Sequence, residues 1–219
     1  MQPLSRTIDD RSSAATYYEA NDKRLLHDYE QIRFEEIHSD LLPLILSRKG
    51  RALDVGCGSG RDAAWLGKRG WNVVAVDSSL SMLDGARRLH DADNIVWLHD
   101  SLPSVAATKA FGGSFDLFLL SAVLMHLQPN EQLFALDNLI ALAAPEAIIS
   151  LSVKNPSESE PWLSDVDLDR VSAWLEERSF VPVSRSSDLD LFGRKEVRWQ
   201  KLVSRRAAFD PTPIDVGNR

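Results

Sequence analysis

The stretch from Leu53 to Gly60, LDVGCGSG, restricts the fold of this chain more than any other. Gly56, Gly58 and Gly60 remove side chains at alternate positions, so backbone there can approach a ligand closely and take dihedrals that other residues resist. A short apolar run, residues 51–55, precedes the glycines, and a helical pattern, residues 61–69, follows and is closed by Gly70. A glycine loop between a strand and a helix is how a parallel α/β sheet opens a crossover. Ligands of such sheets sit outside the carboxyl ends of the strands. Asp54 places a carboxylate at that end.

The rest of the chain supplies the matching sheet. Strands are predicted over 72–76, 95–98, 115–120 and 147–153, with helices over 80–89 and 130–142; Ser78 or Ser79 caps the former helix. Strands and helices taking turns imply a parallel sheet covered on both faces. The order then changes. After a helix over 167–178, strands over 181–185 and 197–204 follow with no helix between them, which predicts an antiparallel hairpin connected by residues 188–196. The total is seven strands, mostly parallel, with the last antiparallel. Residues 17–46 carry a helical repeat, and Pro43 starts a further short helix. Trp65, Trp97 and Trp174 read as core.

The glycine spacing bears on the ligand. A dinucleotide fingerprint, G-x-G-x-x-G, would need a glycine where Arg61 stands. A pyrophosphate also wants a helix N-terminus without carboxylates, whereas Asp54 and Asp62 flank this loop. They suit a cationic or zwitterionic ligand. Residues 53–79, LDVGCGSGRDAAWLGKRGWNVVAVDSS, resemble the first two motifs of the class I S-adenosylmethionine-dependent methyltransferases, and the resemblance runs in order over residues 17–204. It implies an α/β, Rossmann-like fold, and S-adenosyl-L-methionine as cofactor with S-adenosyl-L-homocysteine as product. It also implies that Asp54, Gly56, Cys57, Gly58 and Gly60 wrap the methionine part, and that Asp77 takes both ribose hydroxyls on its two oxygens. Ser78 and Met82 would line the adenine, Asp100 would accept from its amino group beside Ser101 and Leu102, and Ser121 would sit under the sulfonium. In related enzymes the N-terminal helical segment closes over the cofactor, which makes Tyr17 and Tyr18 candidate lid residues. The turn Pro145-Glu146-Ala147 departs from the Pro-Gly-Gly usual in the family.

Methyl transfer from a sulfonium needs alignment and exclusion of water, and a base only where the acceptor must lose a proton. His126, which follows the fourth strand in SAVLMHLQP, is the candidate base; its alternative role is packing of that connection. His27, His38, His90 and His99 read as surface or packing residues, and no metal site is expected. Cys57 is either a nucleophile or a small loop residue, Asp77 and Asp100 are ligand acceptors or helix caps, and Tyr17 and Tyr18 are lid residues or core anchors. The basic stretch through Arg194, Lys195, Arg198, Lys201, Arg205 and Arg206 is a solvated strand face or meets an anionic acceptor or an RNA backbone, with Arg194 and Trp199 beside the acceptor.

The expected organisation is one domain over 1–206 with a helical lid at about 14–47, and a flexible tail over 207–219. The net charge of −7 opposes binding to nucleic acid. No apolar run suggests a signal peptide or membrane span, and a lone cysteine suits a reducing compartment. The expectation is therefore a cytoplasmic enzyme, monomer or homodimer, acting at an oxygen or nitrogen of a small molecule. Its rivals are a cofactor-binding protein without catalysis, a nicotinamide-dependent oxidoreductase, and a methyltransferase acting on RNA or protein.

Overall fold

The computed structural model describes residues 9–156, 160 and 162–208, with side chains from residue 17 onward. Helices α1 (Asp9–Glu30), α2 (Phe34–Ile37) and α3 (Leu42–Ile45) lead to strand β1 (Arg51–Val55) and helix α4 (Arg61–Lys68). β2 (Asn72–Asp77), α5 (Leu80–Leu89), β3 (Ile95–His99), α6 (Ala106–Phe111) and β4 (Phe115–Ser121) follow. The chain continues through a 3₁₀ turn (Leu124–His126), α7 (Pro129–Ile140), β5 (Ala143–Lys154), α8 (Leu168–Glu176), β6 (Phe180–Leu189) and β7 (Arg198–Arg206).

The seven strands form one sheet in the order β3-β2-β1-β4-β5-β7-β6. β7 runs antiparallel to both neighbours, and the other neighbouring pairs are parallel. The order reverses between β1 and β4, which puts the switch point at the carboxyl end of β1, where the glycine loop stands. The central strands are apolar on both faces because each face carries a core. One core gathers Leu53, Val74, Phe118 and Ile149 under Leu136, Leu139 and Leu175; the other gathers Ala52, Val73 and Leu117 under Phe34, Leu66 and Trp71.

Several expectations needed correction. The predicted N-terminal helix is two helices, α1 and α2, broken after Glu30, while α3 begins at Leu42 with Pro43 in its first turn as expected. The break is a capping box: Glu36 turns back to the Arg33 backbone N–H, and Phe34 is buried behind it. α6 was not expected; its six residues enter through Val105 at φ 43°, which carries no sequence signal for a helix start. β5 begins at Ala143, four residues early, and passes through Glu146 at φ 59°. Glu146 takes a left-handed position that favours glycine, and its carboxylate meets Arg205 Nη2 at 2.9 Å. Trp71 fills the core outright, whereas Trp65, Trp97 and Trp174 are half-buried against it. Of the expected tail, residues 209–219 lie outside the described residues. Among the described residues no helix is long and apolar enough to cross a membrane.

Candidate functional site

The carboxyl ends of β1, β2 and β4 open into a cavity of about 1180 Å³, with α1 as one wall and the β6–β7 connection as another. The glycine loop forms its floor. Gly56 and Gly58 sit at φ 65° and 55°, where a side chain is strained. The Cys57 N–H donates to the Val76 carbonyl at 2.9 Å and ties the loop to β2. Every sequence-predicted site residue lines this cavity except Gly60. Gly60, at φ 80°, faces away: a Cβ there would lie 2.5 Å from the Trp97 ring and 3.0 Å from Ala86. Its part is to let the start of α4 pack on β3 and α5, not to touch a ligand.

Three carboxylates surround the loop and differ by what meets them. Asp54 is 2% exposed, and its Oδ2 has no hydrogen-bond partner. Burial pushes its pKa well above the usual carboxylate range; Asp62 and Asp77 add to this and Arg61 opposes it. Asp62 is equally buried. Burial alone would raise it, but Arg61 Nε at 2.7 Å and His38 Nε2 at 2.8 Å hold it well below the usual range. His38 is thus a buried hydrogen-bond partner of Asp62, the packing side of its sequence reading. Ser121 also lines the cavity, with its hydroxyl 3.3 Å from the same Asp62 oxygen. Asp77 accepts from the Gly58 N–H (3.0 Å) and the Ser79 N–H (2.9 Å); burial raises its pKa against these bonds. Each Asp77 oxygen keeps acceptor capacity toward the cavity.

Asp100 is more heavily used. It accepts from the Ser101 N–H at 2.8 Å and from the Thr108 N–H and hydroxyl at 2.7 and 2.6 Å, so it serves as cap for α6 while lining the cavity. About four lone-pair sites on a carboxylate leave it room for one further donor. Ser79, not Ser78, caps α5 by accepting from the Met82 N–H. Burial, with Asp54 and Asp77 nearby, pushes the Cys57 thiol well up, so it is not a thiolate nucleophile.

α1 is fastened over the floor by residues that local patterns did not reveal. Glu30 Oε1 accepts from the Ser59 hydroxyl at 2.7 Å and meets His90 Nε2 at 3.0 Å. Arg61 Nη1 donates to the Tyr29 carbonyl at 3.0 Å. The Tyr29 ring lies directly over Gly58, where a Cβ would be 3.4 Å from it. In sequence Tyr29 was only one apolar position of a helical stripe. The Tyr18 hydroxyl approaches His126 Nε2 at 3.2 Å and also bonds Tyr29. Tyr17 packs on Tyr18 and on Trp162 instead of entering the core. Burial lowers the His126 pKa to about 4, with Glu160 opposing and Lys154 adding. The imidazole is therefore neutral near pH 7. Ala122, four residues before it, holds φ 62° without being glycine, a strained backbone of the kind found at functional sites.

Residues 52–146 match a family model described as a methyltransferase domain. Among curated proteins, the chain is 29% identical to a ubiquinone biosynthesis O-methyltransferase of Rickettsia bellii over 125 residues, covering 56% of this chain and 50% of that protein. The chain spans about half the length of the first curated relatives it matches. Among solved structures it resembles 1,6-didemethyltoxoflavin-N1-methyltransferase of Burkholderia thailandensis, bound to 1,6-didemethyltoxoflavin and S-adenosylhomocysteine. The TM-score is 0.71 at 17% identity, over 94% of this chain and 93% of that one. It also resembles magnesium protoporphyrin IX methyltransferase of Synechocystis with bound S-adenosylmethionine, with TM-score 0.66 and 17% identity over 93% and 100% of the two chains. At these identities the solved structures establish a shared fold.

Proposed function

We propose that this chain is a class I S-adenosylmethionine-dependent methyltransferase, a reading supported by the methyltransferase-domain match over residues 52–146 and by the shared fold, and that it methylates an oxygen or nitrogen of a small molecule, with S-adenosylhomocysteine as the other product. The observation that carries this reading is the unpartnered Oδ2 of Asp54, buried beside two further acids at the glycine loop. A buried acceptor left without a donor costs free energy, and a ligand bearing an ammonium group relieves it. Asp54 with the loop from Gly56 to Gly58 would hold the amino-acid part of such a donor. Asp77 would take the ribose diol, and Met82, Ser78, Leu102, Ser101 and Asp100 the adenine. When bound, S-adenosylmethionine supplies a methyl group already activated on sulfur.

The chain then has three tasks. The cavity exceeds the roughly 300–1,000 Å³ usual for one ligand, so it has space for donor and acceptor together. α1, with Tyr17, Tyr18 and Tyr29, acts as the lid that keeps water from them. Where the acceptor must lose a proton, the neutral His126 Nε2 takes it as general base. Among cavity-lining side chains acids outnumber bases, which favours a cationic donor and a small acceptor over an RNA backbone. The free, buried thiol of Cys57 suits a reducing compartment, the cytoplasm.

Calorimetric titration with S-adenosylhomocysteine, run beside Asp77→Ala, tests the reading. Micromolar binding that Asp77→Ala abolishes is expected; no binding by the intact chain, with and without added cell extract, overturns it.

A further inference from the structure

The outer wall of the cavity is the connection between β6 and β7, and one carboxylate organises it. The Asp190 side chain is 1% exposed although it sits in a loop. It accepts from Arg194 Nε and Nη2 at 2.9 and 2.7 Å, from Trp199 Nε1 at 2.9 Å, and from the Phe192 and Arg194 N–H groups at 3.1 and 3.2 Å. Five donors on one carboxylate determine the path of the loop. The bidentate Arg194 fork also spends the charge that the sequence had offered to an anionic acceptor. What the pinned loop presents is apolar. Leu189, Leu191 and Phe192 are 60%, 54% and 49% exposed, yet all three line the cavity. Apolar surface held toward a cavity gains about 25 cal/mol for each Å² that a ligand covers.

The other cations of this wall are also matched. Lys201 Nζ meets Asp188 at 2.5 Å, and Lys154 is paired with Glu160. Arg24 lies apart from this wall, on the α1 side, and bonds the neutral Tyr17 hydroxyl and Asn21, so its charge is not part of the hairpin wall. A carboxylate or phosphate entering along the hairpin would meet neutralised pairs and hydrocarbon, with Asp54 and Asp77 deeper in the same cavity.

We propose that Asp190 is a positioning residue that fixes an apolar, charge-neutralised wall for the methyl acceptor, and that the acceptor is an uncharged molecule laying a ring or other apolar face on Leu191 and Phe192. The proposal rests on the methyltransferase reading above, and its test keeps the two separate.

The full chain, saturated with S-adenosylhomocysteine, is titrated with a panel of hydroxybenzoic and hydroxycinnamic acids, each beside its methyl ester. The esters are expected to bind at least about tenfold more tightly than the acids, because like-charge juxtaposition opposes the latter. Asp190→Asn is expected to lose that ester affinity by about tenfold or more while S-adenosylhomocysteine affinity stays within about twofold, a split that general unfolding does not produce. Phe192→Ala, at an exposed loop tip, should weaken the esters in the same direction and guards against a folding defect in Asp190→Asn. Acids binding as well as esters, no panel member binding in either form, or ester affinity unchanged in both variants overturns the proposal. If S-adenosylhomocysteine itself fails to bind, the functional reading falls instead.

Discussion

The Tyr18 hydroxyl lies 3.2 Å from Nε2 of His126, across 108 residues of chain. The contact joins the N-terminal helix to the turn that leaves β4, so the wall of the cavity and its one lining imidazole are positioned together. Burial, then the neighbouring Tyr29, raises the Tyr18 pKa well above its ordinary value, so the phenol stays protonated beside the imidazole.

A base must be neutral to act, and His126 is neutral above about pH 4. For an acceptor that loses a proton, we expect kcat/KM to stay level on the acid side down to about pH 5 and to fall only as pH approaches 4. A limb near the ordinary histidine value would remove His126 from the role. His126→Asn should lower kcat by about 100-fold or more, with S-adenosylhomocysteine affinity little changed. Stability carries the same signature. The unfolded chain protonates this histidine at its ordinary 6.5 and the folded chain only near 4, so stability drops as pH falls between those values and levels off below. His126→Asn should lack that part of the slope in thermal melts.

Asp54 is burdened in the free protein and useful to the complex. Burial first, then Asp62 and Asp77, raises its pKa, so its contribution to stability is full below the unfolded value and is lost as pH rises through the folded one. Asp54→Asn removes that loss. We expect its thermal midpoint without ligand to equal or exceed the wild type near pH 7. Its affinity for S-adenosylhomocysteine should fall by about tenfold or more, about 1.4 kcal/mol. Melts and calorimetry on the same sample check both. A variant that binds normally would remove the ammonium-holding role from Asp54.

Glu30 tethers the lid. Burial alone would raise its pKa, but the hydrogen bonds from His90 and Ser59 lower it, so its contribution is present above the ordinary carboxylate pKa and lost as pH falls through the folded value. Glu30→Ala releases both bonds. Hydrogen exchange across α1 should then speed up by about fivefold, as loss of about 1 kcal/mol of local stability allows. Exchange in β1 and β4 should not change; unaltered exchange in α1 would show that packing of Leu26 on Gly85, which touches side to side, holds the lid without Glu30.

The sheet was legible because its signals are local. Alternating patterns, the glycine loop after β1, Asp77 and Asp100 after β2 and β3, and the helix-free hairpin are each written within a few residues. What escaped is made by distant partners. Tyr29 reads as part of a helical repeat until the loop after β1 brings Gly58 beneath it, and His38 reads as surface or packing, with no partner named, until α4 brings Asp62 to it. Asp190 sits in a polar run whose meaning depends on Trp199 from the next strand. Trp71, between Gly70 and Asn72, falls outside the predicted elements and is core because it packs with Phe34 of α2 and Leu66 of α4.

Gly60 separates conformational from packing demands on the loop. It combines φ 80° with a Cβ position 2.5 Å from the Trp97 ring, whereas Gly112 holds φ 78° with nothing within 4 Å. Gly112→Ala therefore meets backbone strain alone, but at ψ −179°, a region that is essentially glycine's own, and should cost about 1–3 kcal/mol. Gly60→Ala meets the milder left-handed strain of φ 80°, ψ 7° plus displacement of an indole, and should cost about 2–4 kcal/mol in denaturant unfolding. Adding Trp97→Leu to Gly60→Ala should recover part of the excess. The double-mutant cycle then gives the packing term directly. Since Gly60 faces α5 and β3 and not the cavity, S-adenosylhomocysteine affinity should fall far less in Gly60→Ala than in Asp54→Asn. If instead affinity collapses while stability holds, Gly60 touches the ligand and the loop is mobile enough to turn it inward.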